Sequence, residues 1–193
     1  MPNDPRNVID RYKGVPLEQI VAELDARGST LEIAIDNVER DFNMGTIVRS
    51  ANAFGVRHVH VVGRRQWNKR GAMMTDKYLH VHYHAMASDF LRAIADKELI
   101  AIDNVAGSQP LARVKLPKNA VLLFGAERSG IRPELLTEAA QIAAIEQFGS
   151  TRSLNVGVAA GIAMYAWVQQ HKLRYFSGKR SSRPGQFPPK NQP

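Results

Sequence analysis

The stretch STRSLNVGVAAGIAMY, residues 150–165, begins as a polar turn and ends as an apolar run of small residues. Serine and asparagine compete with backbone hydrogen bonds inside a helix and favour caps and turns. A buried helix needs only the second half of this stretch. The polar half, which holds Arg152, Ser153 and Asn155, therefore has two interpretations: it caps the helix, or it forms a loop beside a binding site.

The composition is that of one globular domain with tails, because the chain has 193 residues, of which 44% are hydrophobic and 23% charged. The absence of cysteine excludes disulfides, thiolate metal sites and a thiol nucleophile. The N-terminus MPNDPRNVIDRYKGV lacks the pattern of a signal peptide, and the longest uncharged run, residues 153–170, is short for a membrane span of about 20 apolar residues. We therefore expect a cytoplasmic protein with no membrane segment.

The positive charge is concentrated in two places. The formal net charge is +8, and Glu146 is the last acidic residue, so the C-terminal tail carries only basic charges. A second basic cluster, GRRQWNKRG at residues 63–71, interleaves four basic side chains with Trp67. Basic and aromatic side chains together are typical of an RNA-binding surface. A solvated loop that is basic without function is the alternative for either cluster.

The hydrophobic pattern alternates between strands and helices, which predicts an α/β domain with a mostly parallel sheet. We expect an N-terminal extension with a helix at 1–29, one domain at 30–173, and a basic tail at 174–193 that is disordered when unbound. The predicted strands are 31–35, 57–63, 81–86, 99–105, 120–125 and 142–146, and the predicted helices are 16–27, 46–54, 88–96, 133–139 and about 154–173.

Three loops that follow predicted strands combine glycine with polar side chains: 36–50, 126–133 and 147–155. Glycine after a strand often marks only a turn, so each loop by itself is a weak indication. In an open parallel sheet, however, ligands bind beyond the carboxyl ends of the strands. The three loops together predict a binding site at that edge.

The three segments also carry a family resemblance. In this order, NVERDFNMGTIVRSA (37–51), LLFGAERSGI (122–131) and STRSLNVGVAAGIAMY (150–165) resemble the three motifs of the TrmH-type (SpoU) RNA ribose methyltransferases of the SPOUT superfamily. The match covers about residues 30–170. It implies a trefoil knot near the C-terminus, a homodimer, and transfer of a methyl group from S-adenosylmethionine to a ribose 2′-hydroxyl without a metal.

The resemblance assigns roles to individual residues. A guanidinium is a poor base because its pKa exceeds about 12, so we expect Arg49 to bind a phosphate and stabilise the forming alkoxide, and we leave its role as base open. The other catalytic candidates are Asn43, Glu127, Ser153 and Asn155. Expected cofactor contacts are Leu123, Phe124, Gly125, Ala126, Glu127, Gly130, Ile131, Ile145, Gln147, Phe148, Ser153, Leu154 and Asn155. Expected RNA contacts are Arg40, Arg49, Arg64, Arg65, Lys69, Arg70, Lys179, Arg180 and Arg183.

This sequence departs from the family pattern in two places. Gly157 stands where the family usually has serine, and Arg128 with Ser129 stand where smaller or acidic residues are frequent. Gly157 and Gly161, four residues apart, indicate close packing of the last helix. The packing partner is either the same chain or a second subunit.

Five of the six histidines lie at positions 58, 60, 80, 82 and 84, and the last three share one face of a predicted strand. Imidazole is a common metal ligand. Because no carboxylate pattern or cysteine accompanies these histidines, we favour a basic RNA surface over a metal site.

The sequence therefore predicts an S-adenosylmethionine-dependent 2′-O-methyltransferase that acts on structured RNA. Short extensions at both ends, with no large N-terminal RNA-binding domain, favour tRNA over rRNA. The alternative is an RNA-binding protein that keeps the fold and has lost catalysis. A dinucleotide-binding enzyme ranks last, because the first strand is not followed by Gly-x-Gly-x-x-Gly.

Overall fold

The computed structural model describes residues 4–37, 43–126 and 129–173. The predicted α/β domain is confirmed, and within these residues the strands form one seven-stranded sheet in which every pairing is parallel. The strands are β1 (Glu32–Asn37), β2 (His58–Gly63), β3 (His80–His84), β4 (Glu98–Ile102), β5 (Gln109–Pro110), β6 (Ala120–Phe124) and β7 (Gln141–Ala144), in the order β3-β2-β1-β6-β4-β7-β5.

Helices cover both faces of the sheet, which explains why the central strands read as unbroken apolar runs. All five residues of β6 are buried. On one face the core joins the sheet to α2 and α5, and on the other it joins the sheet to α3 and α4. The helices are α1 (Leu17–Asp25), α2 (Met44–Ala53), α3 (Ala87–Ala93), α4 (Pro133–Thr137) and α5 (Val156–His171).

The N-terminal helix α1 forms a small core of its own. Its buried residue Ile20 packs with Tyr12 and with Tyr78, which lies in a 3₁₀ turn before β3. This contact attaches α1 to the β3 end of the sheet.

Two predictions about strands need correction. Strand β4 ends at Ile102, although the pattern predicted a strand to residue 105, because the apolar run continues through Asp103 and Asn104 to Val105. The two-residue strand β5 was not predicted, since Gln109–Pro110 has no apolar pattern. The first error affects residues 103–105, which follow β4 at the carboxyl edge of the sheet.

Helix α5 is held by the connection between β5 and β6. Trp167 donates a hydrogen bond from Nε1 to the carbonyl of Pro117 at 2.8 Å, and Gln170 bonds both the carbonyl of Val114 and the amide of Leu116 at 3.0 Å. The side chains that make these bonds lie near the C-terminal end of α5. Among the described residues, no helix is long and apolar enough to cross a membrane.

The first turn of α2 lies between two other segments. On one side it touches the 3₁₀ turn Arg70–Ala72, where a Cβ placed on Gly45 would lie only 2.6 Å from the backbone nitrogen of Ala72. On the other side it touches the start of α5, where a Cβ on Gly157 would lie 3.1 Å from Thr46. The close packing of Gly157 is therefore within the chain, whereas nothing lies within 4 Å of the corresponding position on Gly161.

We predict that Gly45→Ala destabilises the protein, because the added methyl group meets backbone atoms that cannot rotate away. Overpacking of this kind costs about 1–3 kcal/mol, and each kcal/mol lowers the melting temperature by about 2–4 °C in a chain of this size. Gly149→Ala is the matched control, since nothing lies within 4 Å of a Cβ at that position. Thermal unfolding of both variants tests this, and equal melting temperatures would contradict it.

Candidate functional site

A cavity of about 450 Å³ opens at the carboxyl edge of the sheet. Its size is within the range of ligand pockets, about 300–1,000 Å³. It lies where β4, β6 and β7 end and where α5 begins. Eight of the residues expected to contact a cofactor line it: Gly125, Ala126, Gly130, Ile131, Ile145, Gln147, Ser153 and Leu154.

Other lining residues were missed by the sequence analysis. Ile102, Asp103, Asn104 and Val105 line the cavity from the end of β4, and their polar members were hidden because the strand was predicted to continue through them. The remaining additions come from the polar loops and from α5: Ser129, Arg152, Val156 and Ala159.

Asp103 and Asn104 hold the loops that form the cavity wall. A carboxylate oxygen of Asp103 accepts a hydrogen bond from the amide of Ile131 at 3.2 Å. The side-chain amide of Asn104 donates to the carbonyl of Arg152 at 2.9 Å. The end of β4 thus anchors both the loop after β6 and the loop after β7.

The loop after β6 is closed by a pair of backbone hydrogen bonds. Gly130 donates to the carbonyl of Ala126 at 2.9 Å, and Ala126 donates to the carbonyl of Gly130 at 3.1 Å. Gly130 has a φ of 68°, a conformation that glycine adopts without the strain of a side chain. These bonds fix the two lining residues Ala126 and Gly130 against each other.

An ion pair with a buried carboxylate connects the end of β1 to the start of α4. The carboxylate of Asp36, at the end of β1, is fully buried. It accepts hydrogen bonds from the backbone amide of Arg132 at 2.9 Å and from Nε of the same residue at 2.8 Å. Arg132 also pairs with Glu134 at 2.9 Å. One arginine therefore joins the residue just before the first motif to the residue just after the second.

Asn155 both caps α5 and binds α2. Its Oδ1 accepts from the amides of Gly157 at 3.0 Å and Val158 at 3.2 Å, which is the geometry of an N-cap. Its Nδ2 donates to Oδ1 of Asn43, the N-cap residue of α2, at 2.9 Å. The two interpretations of the polar stretch, a helix cap and a loop beside a binding site, are therefore compatible. Asn155 caps α5 and also binds Asn43, another candidate site residue.

The other predicted site residues fall into three groups. Arg49 is exposed on α2, and Ser153 is exposed on the cavity wall. Leu123 and Phe124 are buried inside β6, and Phe148 is 97% exposed; none of these three lines the cavity. Glu127, Arg40, Lys179, Arg180 and Arg183 lie outside the described residues, as does the tail from residue 174.

The basic cluster at 63–71 follows β2, touches the first turn of α2 through Gly71, and carries exposed arginines. Arg64, Arg65 and Arg70 are exposed, and Lys69 forms an ion pair with Asp76 at 2.8 Å. Trp67 packs partly against the core. The cluster therefore lies next to the helix that bears Arg49.

The five histidines form one continuous stack across β2 and β3. Their rings alternate between the strands in the order His80, His58, His82, His60, His84, with neighbouring centroids 5.0 to 5.2 Å apart. His58 and His82 share a hydrogen bond of 2.9 Å, as do His60 and His84. In the part of the chain that the structure describes, no three histidine or acidic side chains are placed to hold a metal ion.

Acidic side chains contact this histidine stack at two points. Glu32 accepts a hydrogen bond from His60 at 2.9 Å and pairs with Lys97 at 3.2 Å. Burial raises the pKa of Glu32, but His60 and Lys97 outweigh burial and lower the pKa to about 2. Asp25 bonds His80 at 3.0 Å and Arg57 at 2.7 Å. Burial and the neighbouring His60 and His58 lower the pKa of His82 to about 4.

Comparisons with known proteins match the part of the chain that forms the sheet and the cavity. The model of the SpoU rRNA Methylase family matches residues 30–165. The chain is 25% identical over 159 residues to the tRNA (guanosine(18)-2′-O)-methyltransferase of Escherichia coli strain K12, covering 80% of this chain and 69% of that protein.

Two solved structures are similar in fold. The TrmH/SpoU tRNA modifying enzyme of A. aeolicus has a TM-score of 0.72 and 25% identity, covering 82% of this chain and 84% of that one. The AdoMet-bound rRNA methyltransferase of Sinorhizobium meliloti has a TM-score of 0.66 and 28% identity, covering 73% of this chain and 56% of that one.

We predict that the histidine stack makes the protein less stable in mild acid. The pKa of His82 is about 4 in the fold and about 6.5 when unfolded, so the unfolded chain binds the proton first as the pH falls from 6.5 to 4. Because His82 is partly exposed, we discount the effect to about 1 kcal/mol between pH 7 and pH 5. Urea unfolding of the wild type and of His82→Gln measures it. If the free energy of unfolding fell equally from pH 7 to pH 5 in the wild type and in His82→Gln, the prediction would be contradicted.

Proposed function

Because the chain belongs to the SpoU rRNA Methylase family, we propose that it transfers a methyl group from S-adenosylmethionine to a ribose 2′-hydroxyl of structured RNA, with tRNA favoured over rRNA. The observation that carries the proposal is the cavity at the carboxyl edge of the sheet, which is lined by residues of the second and third family motifs. A similar protein of E. coli is a tRNA 2′-O-methyltransferase, which supports the preference for tRNA. We propose the cytoplasm as the compartment.

The cavity suits a nucleoside with a polar tail. Ile102, Ile131, Ile145 and Leu154 offer apolar walls for a base, and Asp103 and Asn104 place polar groups beside them. When bound, the cofactor would supply a methyl group on a sulfonium: the 2′-oxygen takes the methyl group as the carbon–sulfur bond breaks, a neutral thioether leaves, and the hydroxyl proton is released, with no need for a metal. Expected contacts at Leu123, Phe124, Glu127, Phe148 and Asn155 stay predictions.

The residues of α2 orient the RNA in this proposal. The exposed guanidinium of Arg49 binds the phosphate next to the target ribose and stabilises negative charge on the 2′-oxygen. The hydrogen bond from Asn155 to Asn43 fixes α2 against the start of α5, and so holds Arg49 in place relative to the cavity. Holding the hydroxyl near the methyl donor is mainly an effect of proximity and orientation.

We also propose a homodimer that forms through α5. Val158, Ile162 and Tyr165 are 52%, 40% and 46% exposed and lie on one face of α5, while another face of the helix packs against the core. Gly161 lies beside them with open space around it, which allows a second helix to approach closely. This arrangement supports the subunit interpretation for Gly161, while Gly157 packs within the chain.

The C-terminal trefoil knot is likewise a proposal. It is supported by the strand order, in which β4 lies between β6 and β7. It is supported also by the hydrogen bonds that hold the end of α5 against the connection between β5 and β6.

We predict that Arg49→Ala abolishes methyl transfer while S-adenosylmethionine affinity stays within a few-fold, because Arg49 faces RNA rather than the cofactor. Calorimetry without added metal measures the affinity, and transfer of a radioactive methyl group to tRNA and rRNA measures the activity. Arg113→Ala, an exposed arginine on a 3₁₀ turn before β6, is the matched control. Asn155→Ala is expected to lower both quantities, since it releases α2 from α5.

Three outcomes would count against these assignments. Full activity in Arg49→Ala would remove Arg49 from the site. Binding of NAD without binding of S-adenosylmethionine would refute the cofactor. RNA binding without methylation of any RNA would favour the alternative of an RNA-binding protein that lacks catalysis.

We predict that deleting residues 177–193 weakens RNA binding and makes it less sensitive to salt, because the deletion lowers the formal charge from +8 to +4. Each lost phosphate contact reduces the slope of log affinity against log salt by about 0.7 to 0.9. A full-length control distinguishes the effect of the lost charge from the effect of the shorter chain. It carries glutamine in place of Lys179, Arg180, Arg183 and Lys190. Cofactor affinity and melting temperature should stay unchanged. If the full-length and truncated proteins had equal RNA affinity at every salt concentration, a role for the tail in RNA binding would be excluded.

A further inference from the structure

Two aromatic rings and two cations form a compact exposed group at the β3 edge of the sheet. The indole nitrogen of Trp67 donates to the hydroxyl of Tyr83 at 3.4 Å. The guanidinium of Arg65 lies over the Tyr83 ring, 4.8 Å from its centroid, and the Lys69 ammonium lies 5.5 Å from the centroid of Trp67. We call Arg65, Trp67, Lys69 and Tyr83 the aromatic platform.

The platform is exposed but firmly supported. Tyr83 is 37% exposed on the edge strand β3, and Arg65 is exposed beside it. Trp67 is held by partial packing against the core, and Lys69 is held by its ion pair with Asp76. A ring that is fixed by its own neighbours loses little freedom when a ligand stacks on it.

The platform lies in the segment that touches the first turn of α2. Gly71, two residues after Lys69, is so close to Thr46 that a Cβ on Gly71 would lie 3.0 Å from its backbone nitrogen. Arg49, proposed to bind the phosphate next to the target ribose, lies on this same helix, and Asn43 is its N-cap. A strand of RNA that reaches Arg49 therefore has a neighbouring part of its chain within reach of the segment that carries the platform.

The chemistry of the platform selects among possible ligands. The sequence 63–71 carries four basic residues and no acidic one, which favours a polyanion. Aromatic rings and arginine planes stack on unpaired bases, whereas bases in a double helix are already stacked on each other. A purely electrostatic contact would not need a guanidinium placed over a tyrosine ring.

We propose that the aromatic platform binds an unpaired nucleobase in the RNA strand next to the methylated nucleotide, so that the protein selects targets in single-stranded or looped RNA. The proposal rests on the proposed function for its substrate. Tyr83 and Arg65 provide the stacking surface, and Trp67 fixes Tyr83 through their hydrogen bond.

The test compares two short RNA probes of equal length and charge, an oligouridylate and a chain of abasic ribose phosphates, with the full-length protein. The wild type should bind the oligouridylate about tenfold more tightly, since stacking on one base is worth about 1–3 kcal/mol. The oligouridylate should also quench tryptophan fluorescence, and this quenching should disappear in Trp67→Phe, because the other tryptophan, Trp167, is buried.

Arg65→Lys is the informative variant, because lysine keeps the charge and loses the planar stacking surface. It should weaken oligouridylate binding several-fold and leave abasic binding unchanged, and Tyr83→Leu should do the same. Arg113→Lys, a conservative change at an exposed arginine of the 3₁₀ turn before β6, should alter neither. Melting temperatures and cofactor affinity of each variant verify that the fold is intact.

Equal binding of the two probes to the wild type would overturn the proposal, and so would an equal loss for both probes in Arg65→Lys, which would make Arg65 a phosphate contact. A change of sedimentation in Tyr83→Leu without a change in RNA affinity would identify the platform as a subunit contact and would also overturn it. These binding results are independent of methyl transfer. A failure of the platform is therefore distinguishable from a failure of the enzyme activity.

Discussion

The architecture of the site depends on a carboxylate that has no contact with solvent. A buried and unpaired Asp36 would cost several kcal/mol, and pairing with arginine removes most of that cost only when the geometry is good. Arg132 supplies two donors to Asp36, one from its backbone and one from its side chain. The end of β1 and the start of α4 are therefore fixed relative to each other, and separating them would leave the carboxylate of Asp36 unpaired in an apolar interior.

The same principle of shared anchors extends along the edge of the sheet. Asp103 and Asn104 at the end of β4 hold the loops after β6 and β7, and Asn155 joins the first turns of α2 and α5. Each anchor is a short polar side chain that bonds backbone or another amide at the carboxyl ends of parallel strands. The cavity is consequently defined by interlocked loops and only secondarily by the apolar residues that line it.

The sequence allowed prediction of the elements and of the loops that matter, because parallel strands covered on both faces produce apolar runs separated by polar turns. It misassigned Asp103 and Asn104, since two polar residues inside the run LIAIDNV do not interrupt a strand pattern. The five histidines lie on two separate strands, and no local sequence pattern shows which strands are neighbours in the sheet. The stack of five rings, which requires β2 and β3 to be neighbours in register, and the ion pair between Asp36 and Arg132, 96 positions apart, were for that reason beyond reach.

The hydrogen bond between Asn155 and Asn43 also determines which way two amide groups are turned. The amides of Gly157 and Val158 require an oxygen at Asn155, so its nitrogen must be the atom that faces Asn43. Asn43 must then accept this hydrogen bond with its own oxygen, Oδ1. The positive end of one helix thus dictates the orientation of a side chain on another. Aspartate would cap α5 as well as asparagine does, but it has no proton to donate onward. The amide of Asn155 accepts at its oxygen and donates from its nitrogen, and so transmits this polarity to the helix that carries Arg49.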